Sequence, residues 1–493
     1  MTNKNIFHKK YFVLFIFLIW TLFIYFKSFS VGLLSDDFAY FNGVTKDGWN
    51  SILNNFNDSF FLPLSHFFQL VIFKLFGQNI YAFHVFQLLF HVLIGWQIYL
   101  VFKEINDKKI IFAFLTGFLF LILPYQTETT IWLASVSYVF CLFFAVLSIR
   151  YYLKGYIYLC YVFLISSIFC KEMGYVIPII IFLIDFKQNQ IPLFKKKLIP
   201  ISIIIIICLS LRIFILDSLI GGYGENIHLN VNLNTVLKSI VAYFIKYFTF
   251  YRFSNSIFIS LLVLTSIGLI SIPLLKNLYI EKNFKKLFFI TALFITTILP
   301  VINLEITSFH SIQSDRYGYF NTVVFAIILS QIICSWNKSK IIILSTVIIS
   351  LFSILTFYDT KKWVVASEIC NQYLKELITH EIENKNILIL NIPDNYKGAY
   401  VLRNGINEYL NLNNINGNIS LINYQSFNSQ ISGIKLNGSE LLNVESDLIK
   451  TDSIVLKALL LDSIKYDFIL YYQDKSFKKL NPESRLLLKK YFN

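Results

Sequence analysis

Long apolar runs alternate with short polar segments over the first 360 residues of the chain. A run of about 17 to 25 apolar residues is long enough to cross the hydrocarbon core of a bilayer as a helix. Eleven runs reach or approach that length, namely 11–28, 80–102, 110–124, 131–149, 156–169, 173–186, 198–216, 256–275, 287–302, 317–336 and 341–358. The pattern therefore predicts a polytopic α-helical membrane protein with about 11 transmembrane helices and a long first outer loop.

Basic residues are concentrated in alternate polar segments, as expected for cytoplasmic loops. The predicted cytoplasmic segments and their edges hold 18 basic and four acidic residues, a surplus of 14 that equals the formal net charge of the chain. The distribution predicts a multi-pass protein of the cell membrane with a cytoplasmic N-terminus. Because the cytoplasmic segments account for the whole net positive charge, this charge reflects the membrane topology, and no nucleic-acid partner is predicted.

Composition agrees with this class, since 56% of the 493 residues are hydrophobic, 15% are charged and the mean hydropathy is +0.62. The first apolar run lacks a small-residue cleavage site after it, so we expect a retained span and not a signal peptide. The six cysteines show no CxxC spacing, which predicts neither a metal site nor a disulfide framework.

Residues 234–253 are apolar enough to span the membrane but do not fit this topology. A span there would place the lysine-rich segment 276–286 outside. Lys238, Lys246 and Arg252 instead suggest an amphipathic helix that lies in the membrane interface on the outer side.

Residues 361–493 contain 16 basic and 14 acidic residues and no further span. Strand-like runs occur at 386–391, 419–424 and 466–472, and helical periodicity occurs at 363–380, 398–411 and 454–464. We predict a transmembrane domain at 1–360 and a small extracytoplasmic α/β domain at 361–493. The second domain has neither a glycine-rich phosphate loop nor a nucleophile elbow, so we expect acceptor recognition or structural support from it.

Charged residues collect in the predicted outer turns, where they form candidate sites. They are Asp36, Asp37, Glu128, Lys171, Glu172, Asp315 and Arg316. Carboxylates with cations nearby can deprotonate an acceptor hydroxyl while a cation stabilises a phosphate leaving group. The competing interpretation is that aspartate pairs with arginine, and Lys171 with Glu172, as neutral ion pairs at helix ends.

Polar side chains also occur within the second predicted span. His84, Gln87 and His91 share one helical face. They either hydrogen-bond to neighbouring helices, which is the common role of such residues, or contact substrate.

The order of several motifs resembles that of the GT-C class of integral-membrane glycosyltransferases, especially the protein O-mannosyltransferase and aminoarabinose transferase branch. The motifs are Ser35-Asp36-Asp37, Leu62-Pro63-Leu64-Ser65, Phe83-His84 to His91, Pro124 to Glu128 with Ile131-Trp132, Cys170-Lys171-Glu172-Met173 and Ser314-Asp315-Arg316-Tyr317-Gly318-Tyr319. Together they cover roughly residues 1–330.

The resemblance implies a sugar donor linked to a polyprenyl phosphate or diphosphate. It assigns the catalytic base or acceptor-positioning role to Asp36 or Asp37, a second acid to Glu128, and phosphate contacts to Arg316 and Lys171. The acceptor would be a glycan, lipid or protein, and membrane lipids would be further partners. Adjacent aspartates do not decide whether a divalent metal takes part, and we predict no cofactor.

We therefore expect an inverting membrane glycosyltransferase. A transporter or flippase of lipid-linked glycans is the alternative, although transporter sites usually lie near the bilayer midplane between internal repeats, and neither feature is found here. A scaffold without catalytic activity is a third possibility, which would gain support if neutralising both Asp36 and Asp37 left function intact.

Overall fold

The computed structural model describes residues 10–53, 60–105, 109–188, 191–217, 233–249, 252–253, 256–280, 284–302, 312–392, 395–423, 435–436, 439–440, 466–473 and 476–479. The chain divides into two compact units. The helical unit comprises Met1–Phe29 and Trp49–Lys361, and the mixed unit comprises Ser30–Gly48 and Lys362–Asn493. Residues 30–48, which the sequence predicts to be part of the transmembrane domain, pack with the C-terminal residues instead.

Helices dominate the described part of the chain. In order they are α1 (Lys10–Tyr25), α2 (Asp37–Asp47), α3 (Pro63–Phe76), α4 (Ile80–Ile105), α5 (Ile110–Ile122), α6 (Thr127–Ile131), α7 (Val136–Leu153), α8 (Ile157–Cys170), α9 (Ile177–Lys187), α10 (Ile191–Leu216), α11 (Leu233–Phe248), α12 (Ile257–Ile280), α13 (Phe284–Ile298), α14 (Tyr319–Cys334), α15 (Lys338–Ile378) and α16 (Ile406–Leu412).

Eight helical segments of the described chain are long and apolar enough to cross a membrane, and a bent pair of helices raises the number to nine. The eight are Lys10–Ser30, Ile80–Ile105, Leu133–Leu153, Ile199–Leu216, Ile257–Tyr279, Phe284–Val301, Asp315–Cys334 and Lys338–Ile378. The protein is thus a polytopic helical membrane protein, as predicted.

The remaining predicted spans correspond to shorter helices. The run 110–124 belongs to the bent pair, and the runs 156–169 and 173–186 correspond to α8 and α9. At 1.5 Å per residue these two helices are only about 21 Å and 17 Å long, less than the hydrocarbon thickness of about 30 Å.

The core of the helical unit forms around α4, which packs against α1, α5 and α7. Its approach to α5 is close because two glycines meet there. A Cβ atom added to Gly117 would lie 2.5 Å from the carbonyl oxygen of Gly95. Small residues allow helices to pack closely in membranes. Close packing matters there because the hydrophobic effect does not drive helices together within lipid.

The mixed unit contains a four-stranded sheet with the order β4-β1-β7-β8. The described strands of the unit are β1 (Asn386–Ile392), β2 (Asn395–Tyr396), β3 (Ala399–Tyr400), β4 (Asn418–Asn423), β5 (Lys435–Leu436), β6 (Ser439–Glu440), β7 (Phe468–Gln473) and β8 (Ser476–Lys479). β4 and β7 pair with β1 in parallel, and β8 pairs with β7 in antiparallel. As expected for a central parallel strand, Ile387, Leu388 and Ile389 of β1 are all buried.

The three predicted strands are confirmed as β1, β4 and β7. The predicted helix 363–380 is the final part of α15, and the predicted helix 398–411 is shortened to α16. The predicted helix 454–464 lies outside the described residues. Within this unit α2 packs against α16, and Phe38 meets Tyr409 edge to face at 5.5 Å between ring centres.

Candidate functional site

A break in the chain places Glu128 inside the helical unit. The helix α5 ends before Pro124, whose ring removes a backbone donor and holds the preceding Leu123 in an extended conformation. The chain bends by 61° there and continues through a short turn into α6. Glu128 lies in the first turn of α6, and its side chain is fully buried.

Arg316 is the direct partner of Glu128. It lies in the short 3₁₀ turn Asp315–Gly318 that precedes α14, where its backbone N–H donates to Glu128 Oε2 at 2.8 Å. Its guanidinium Nη1 forms an ion pair with Glu128 Oε1. Both carboxylate oxygens of Glu128 are therefore engaged by one residue, which satisfies the requirement of a buried charge for a partner.

Aromatic rings surround the guanidinium of Arg316. Its central carbon lies 4.5 Å from the ring centre of Tyr317 and 5.1 Å from that of Trp132, within the range of cation–π attraction. Its Nη2 donates to the Tyr317 hydroxyl at 2.9 Å. The Arg316 side chain nevertheless keeps 14% of its surface exposed, whereas the Glu128 side chain keeps none.

The neighbouring Asp315 binds two other cations. It forms ion pairs with Lys246 and, at 2.6 Å, with Arg252, which also pairs with Asp359 of α15. Burial lowers the pKa of Arg252 but Asp315 and Asp359 raise it more, so the guanidinium is held charged. We call these six residues the buried network: Glu128, Lys246, Arg252, Asp315, Arg316 and Asp359. It contains three positive and three negative groups.

Sequence reasoning missed part of this network. The segment predicted to be an amphipathic helix contains the helix α11, which carries Lys246 and is not among the candidate spans, but the buried ion pairs of Lys246 and Arg252 were not predicted. The competing interpretation predicted that Asp315 pairs with an arginine. That arginine is Arg252, which is distant in the sequence, and not the adjacent Arg316. The sequence contained one indication of this network, the carboxylate of Asp359, which directly follows the last apolar run.

Lys171 and Glu172 form an ion pair, as the competing interpretation predicted. The Lys171 ammonium is 3.4 Å and the Arg212 guanidinium 2.8 Å from the Glu172 carboxylate. We call these three residues the Glu172 cluster. Burial raises the pKa of Glu172, but Lys171 and Arg212 lower it more, which keeps it below its usual range. Arg212, within an apolar run of α10, was not predicted.

Tyrosines connect the Glu172 cluster with the buried network. The Lys171 ammonium lies 4.0 Å from the ring centre of Phe60 and 5.3 Å from that of Tyr138. Tyr138 in turn meets Tyr317 edge to face, with 6.3 Å between ring centres. Arg316 and Lys171 therefore belong to one continuous set of contacts, and their side chains keep 14% and 10% of their surface exposed.

The polar face of α4 supports this region. Gln87 donates to the carbonyl oxygens of Thr129 and Trp132 at 2.6 Å and 3.0 Å, which holds α6 and the residue after it. His91 contacts the Tyr319 hydroxyl at 2.8 Å and the Leu121 carbonyl oxygen at 3.3 Å. These contacts favour interhelical hydrogen bonding for His91. The buried His84 lies on the same face, and substrate contact by either histidine stays a prediction.

Asp36 and Asp37 belong to the mixed unit, where they differ in environment. Asp37 is buried at the start of α2, and its Oδ2 accepts a hydrogen bond from the Leu34 backbone N–H at 3.0 Å. Asp36 precedes α2, is half-buried and makes no side-chain cap. The preceding Ser35 has a positive φ of 50° and is bonded to Val401 and Asn404. Asp37 thus stabilises a turn, while Asp36 is the more accessible carboxylate.

No group of three or more His, Cys, Asp or Glu side chains within the described residues is arranged to hold a metal ion. Catalysis without a metal stays a prediction.

Comparison of the chain with protein-family models, with curated proteins and with solved structures found no match.

Proposed function

We propose that the protein is a membrane glycosyltransferase. It would move a sugar from a polyprenyl-phosphate-linked donor to a hydroxyl of an extracytoplasmic glycan, lipid or protein. The observation that carries the proposal is the placement of Arg316, which is held by Glu128 and by aromatic rings and keeps part of its guanidinium exposed.

Arg316 and Lys171 have the chemistry needed for a phosphate leaving group. A planar guanidinium binds phosphate oxygens in a bidentate manner, and an ammonium adds a point charge. Because Glu128 fixes the backbone and one side-chain nitrogen of Arg316, the group needs little reorganisation when charge develops on the phosphate. The Tyr317 hydroxyl holds another nitrogen of the same group.

Glu128 is a positioning residue in this proposal. Both of its oxygens are bonded to Arg316, so neither is available to take a proton from an acceptor. The base is assigned to the aspartate pair, and Asp36 fits it better than Asp37, whose Oδ2 is bonded to the Leu34 backbone. The sequence left open which of the two aspartates is the base, and the proposal assigns this role to Asp36.

In the proposed reaction the acceptor hydroxyl oxygen attacks the anomeric carbon of the donor. A new carbon–oxygen bond forms, and the bond between that carbon and the lipid phosphate breaks. The hydroxyl proton passes to a carboxylate base, the role that the resemblance assigns to Asp36 or Asp37, and the phosphate leaves with the bonding electron pair, stabilised by Arg316 and Lys171. Attack from the face opposite the leaving phosphate inverts the anomeric centre.

Topology supports an extracytoplasmic reaction. The basic residues mark one end of the helices as cytoplasmic by the positive-inside rule. Lys109 directly precedes α5 and Lys338 begins α15 at that end, whereas Glu128 and Asp359 lie toward the opposite end. The proposal therefore places donor phosphate and acceptor on the outer side.

The buried network also gives some support to the alternative, a transporter or flippase of lipid-linked glycans. Ionisable groups buried among membrane helices often mark a transport pathway. The two functions differ in whether the bond between sugar and lipid phosphate is broken.

The deciding experiment uses the purified full-length chain in proteoliposomes with a radiolabelled polyprenyl-phosphate sugar and a mixture of envelope acceptors. The transferase proposal predicts release of polyprenyl phosphate, loss of this release in Asp36→Asn, and retention in the remote surface variant Lys154→Gln. Movement of intact donor across the membrane without release would instead support the flippase. Addition of EDTA tests the prediction of catalysis without a metal, which retained activity would support.

Cellular glycans identify the acceptor. Mass spectrometry of envelope glycolipids, polysaccharides and glycoproteins would compare wild type with a deletion and with Asp36→Asn and Asp37→Asn at matched expression. One glycan should lose a sugar in the deletion and in Asp36→Asn. If both Asn variants keep that sugar, the carboxylate assignment fails.

A further inference from the structure

The helical unit contains a cavity of about 920 Å³ that extends along α14 from Phe320 to Cys334, and its far end lies where Lys109 and Lys338 are found. Its walls come from α4, α5, α7, α9, α12, α13, α14 and the start of α15, and most of the lining side chains are apolar. Four lysines also line it, namely Lys109, Lys187, Lys286 and Lys338. No acidic residue is among the described residues that line the cavity.

The lysine-bearing end of the cavity is remote from the candidate site. Lys338 and Asp359 lie on the single helix α15, 21 residues apart. At 1.5 Å per residue this separation is about 31 Å, close to the hydrocarbon thickness of a bilayer. The lysines therefore lie about one membrane thickness from the buried network, at the end that the positive-inside rule assigns to the cytoplasm.

The lysines at this cavity influence one another. Desolvation, together with the charges of Lys286 and Lys109, lowers the pKa of Lys187. The Lys187 ammonium also lies 4.4 Å from the ring centre of Phe289, another lining residue. Cations that repel one another beside an apolar space would be stabilised by an anion that carries an apolar tail.

We propose that this cavity binds one anionic phospholipid from the cytoplasmic leaflet, with its phosphate at the lysines and its acyl chains against the apolar walls. Basic pockets between membrane helices on the cytoplasmic side are suited to anionic headgroups. A zwitterionic headgroup fits less well, because its ammonium group would meet like charges and no lining carboxylate. The proposal does not depend on the transferase activity.

Native mass spectrometry of the full-length chain, extracted from bilayers with equal amounts of phosphatidylglycerol and phosphatidylcholine, tests the proposal. Wild type should retain one phosphatidylglycerol at least about tenfold more often than phosphatidylcholine. The triple variant Lys109→Gln, Lys187→Gln, Lys286→Gln should lose this preference by at least about tenfold, and the three Lys→Arg changes should preserve it. Lys187→Gln alone repeats the test with a single change and should also reduce the preference for phosphatidylglycerol.

A matched control removes the same charge at the same end of the helices. Lys103, Lys154 and Lys340 do not line the cavity, so their triple change to Gln should keep the preference. An equal loss in this control would show general surface attraction and overturn the proposal. So would equal retention of both lipids by wild type, or displacement of the bound lipid by millimolar inorganic phosphate, which would indicate a site for phosphate alone.

Discussion

Glu128 and Arg316, 188 positions apart in the sequence, are bonded to each other through the backbone and the side chain of the arginine. The carboxylate is completely buried and the guanidinium is not. This asymmetry makes the carboxylate the support and the guanidinium the group that can meet a ligand. The pair also joins α6 to the turn before α14, so its strength affects folding as well as chemistry.

The first prediction concerns the coupling of this pair. Glu128→Gln should lower the free energy of unfolding by about 3 kcal/mol, because it leaves a mostly buried guanidinium without a counter-charge. Arg316→Gln should have a similar cost, and the double variant should cost less than the sum by about 1 to 3 kcal/mol. Unfolding of purified protein in detergent measures this cycle. Strictly additive losses would contradict the direct coupling.

The second prediction separates the charge of Arg316 from its shape. Arg316→Lys keeps the positive charge but loses the planar group that engages Glu128 and Tyr317. Release of polyprenyl phosphate should fall at least about tenfold in kcat/KM, while the melting temperature changes little. Lys154→Arg, at the opposite end of the helices, is the matched control and should retain full activity. An equally active Arg316→Lys enzyme would remove the case for bidentate phosphate binding.

The third prediction distinguishes the two adjacent aspartates. Asp37→Ala should destabilise the mixed unit by about 1 to 2 kcal/mol, because the Leu34 N–H loses its acceptor at the start of α2. Asp36→Asn should leave stability within about 0.5 kcal/mol of wild type and abolish transfer. Thermal unfolding and the release assay, run on the same preparations, measure both effects. The reverse pattern would assign the base to Asp37.

Sequence patterns predicted the helical class and the central strands because hydrophobic length and periodicity are local properties. Ile387 to Ile389, for example, form a short apolar run with the character of a buried strand. The break at Pro124 also has a local cause, yet its consequence, a bent helix that points Glu128 inward, depends on tertiary packing. From composition alone, this segment is predicted to be the end of a membrane span.

The ion-pair partners could not be predicted from the sequence. Asp315 bonds to Lys246 and Arg252, and Arg252 reaches Asp359, across separations of 63 to 107 positions. Charge matching is not local, so any cation of the outer turns was an equal candidate for each acid. The position of segment 30–48 in the mixed unit was missed for the same reason, because Ser35 bonds to Val401 through a turn that has no counterpart in hydrophobic periodicity.

The fourth prediction tests the charge balance of the buried network. Asp359→Asn removes one anion and leaves Arg252 with only one carboxylate partner, so it should lower the free energy of unfolding by about 3 to 5 kcal/mol. Lys246→Gln in addition restores equal numbers of positive and negative groups, and should recover part of that loss. Thermal unfolding measures both variants, with the exposed change Glu368→Gln as a control for charge removal on α15. A double variant less stable than Asp359→Asn alone would show that individual contacts outweigh the balance.

The last prediction concerns pH and His66 of α3, a buried residue near Lys171. Burial first, and the charge of Lys171 in addition, lowers the pKa of His66 to about 4. In the unfolded chain a histidine has a pKa near 6.5. Between about pH 4 and pH 6.5, His66 is therefore protonated in the unfolded chain but neutral in the folded chain. The contribution of His66 to stability is therefore complete above about pH 6.5 and falls as the pH drops toward 4, by at most about 3 kcal/mol.

Melting temperatures between pH 7 and pH 5 test this sign, because most carboxylates remain ionised over that range. Wild type should lose stability as the pH falls, and His66→Gln should lose less, since glutamine has no proton to gain. His380→Gln is the matched control, because it removes a histidine of the mixed unit for which burial is incomplete. A parallel decline in the melting temperatures of wild type and His66→Gln would contradict this role of His66. So would a rise in stability on acidification in wild type alone, since that would require a protonated His66 in the folded state.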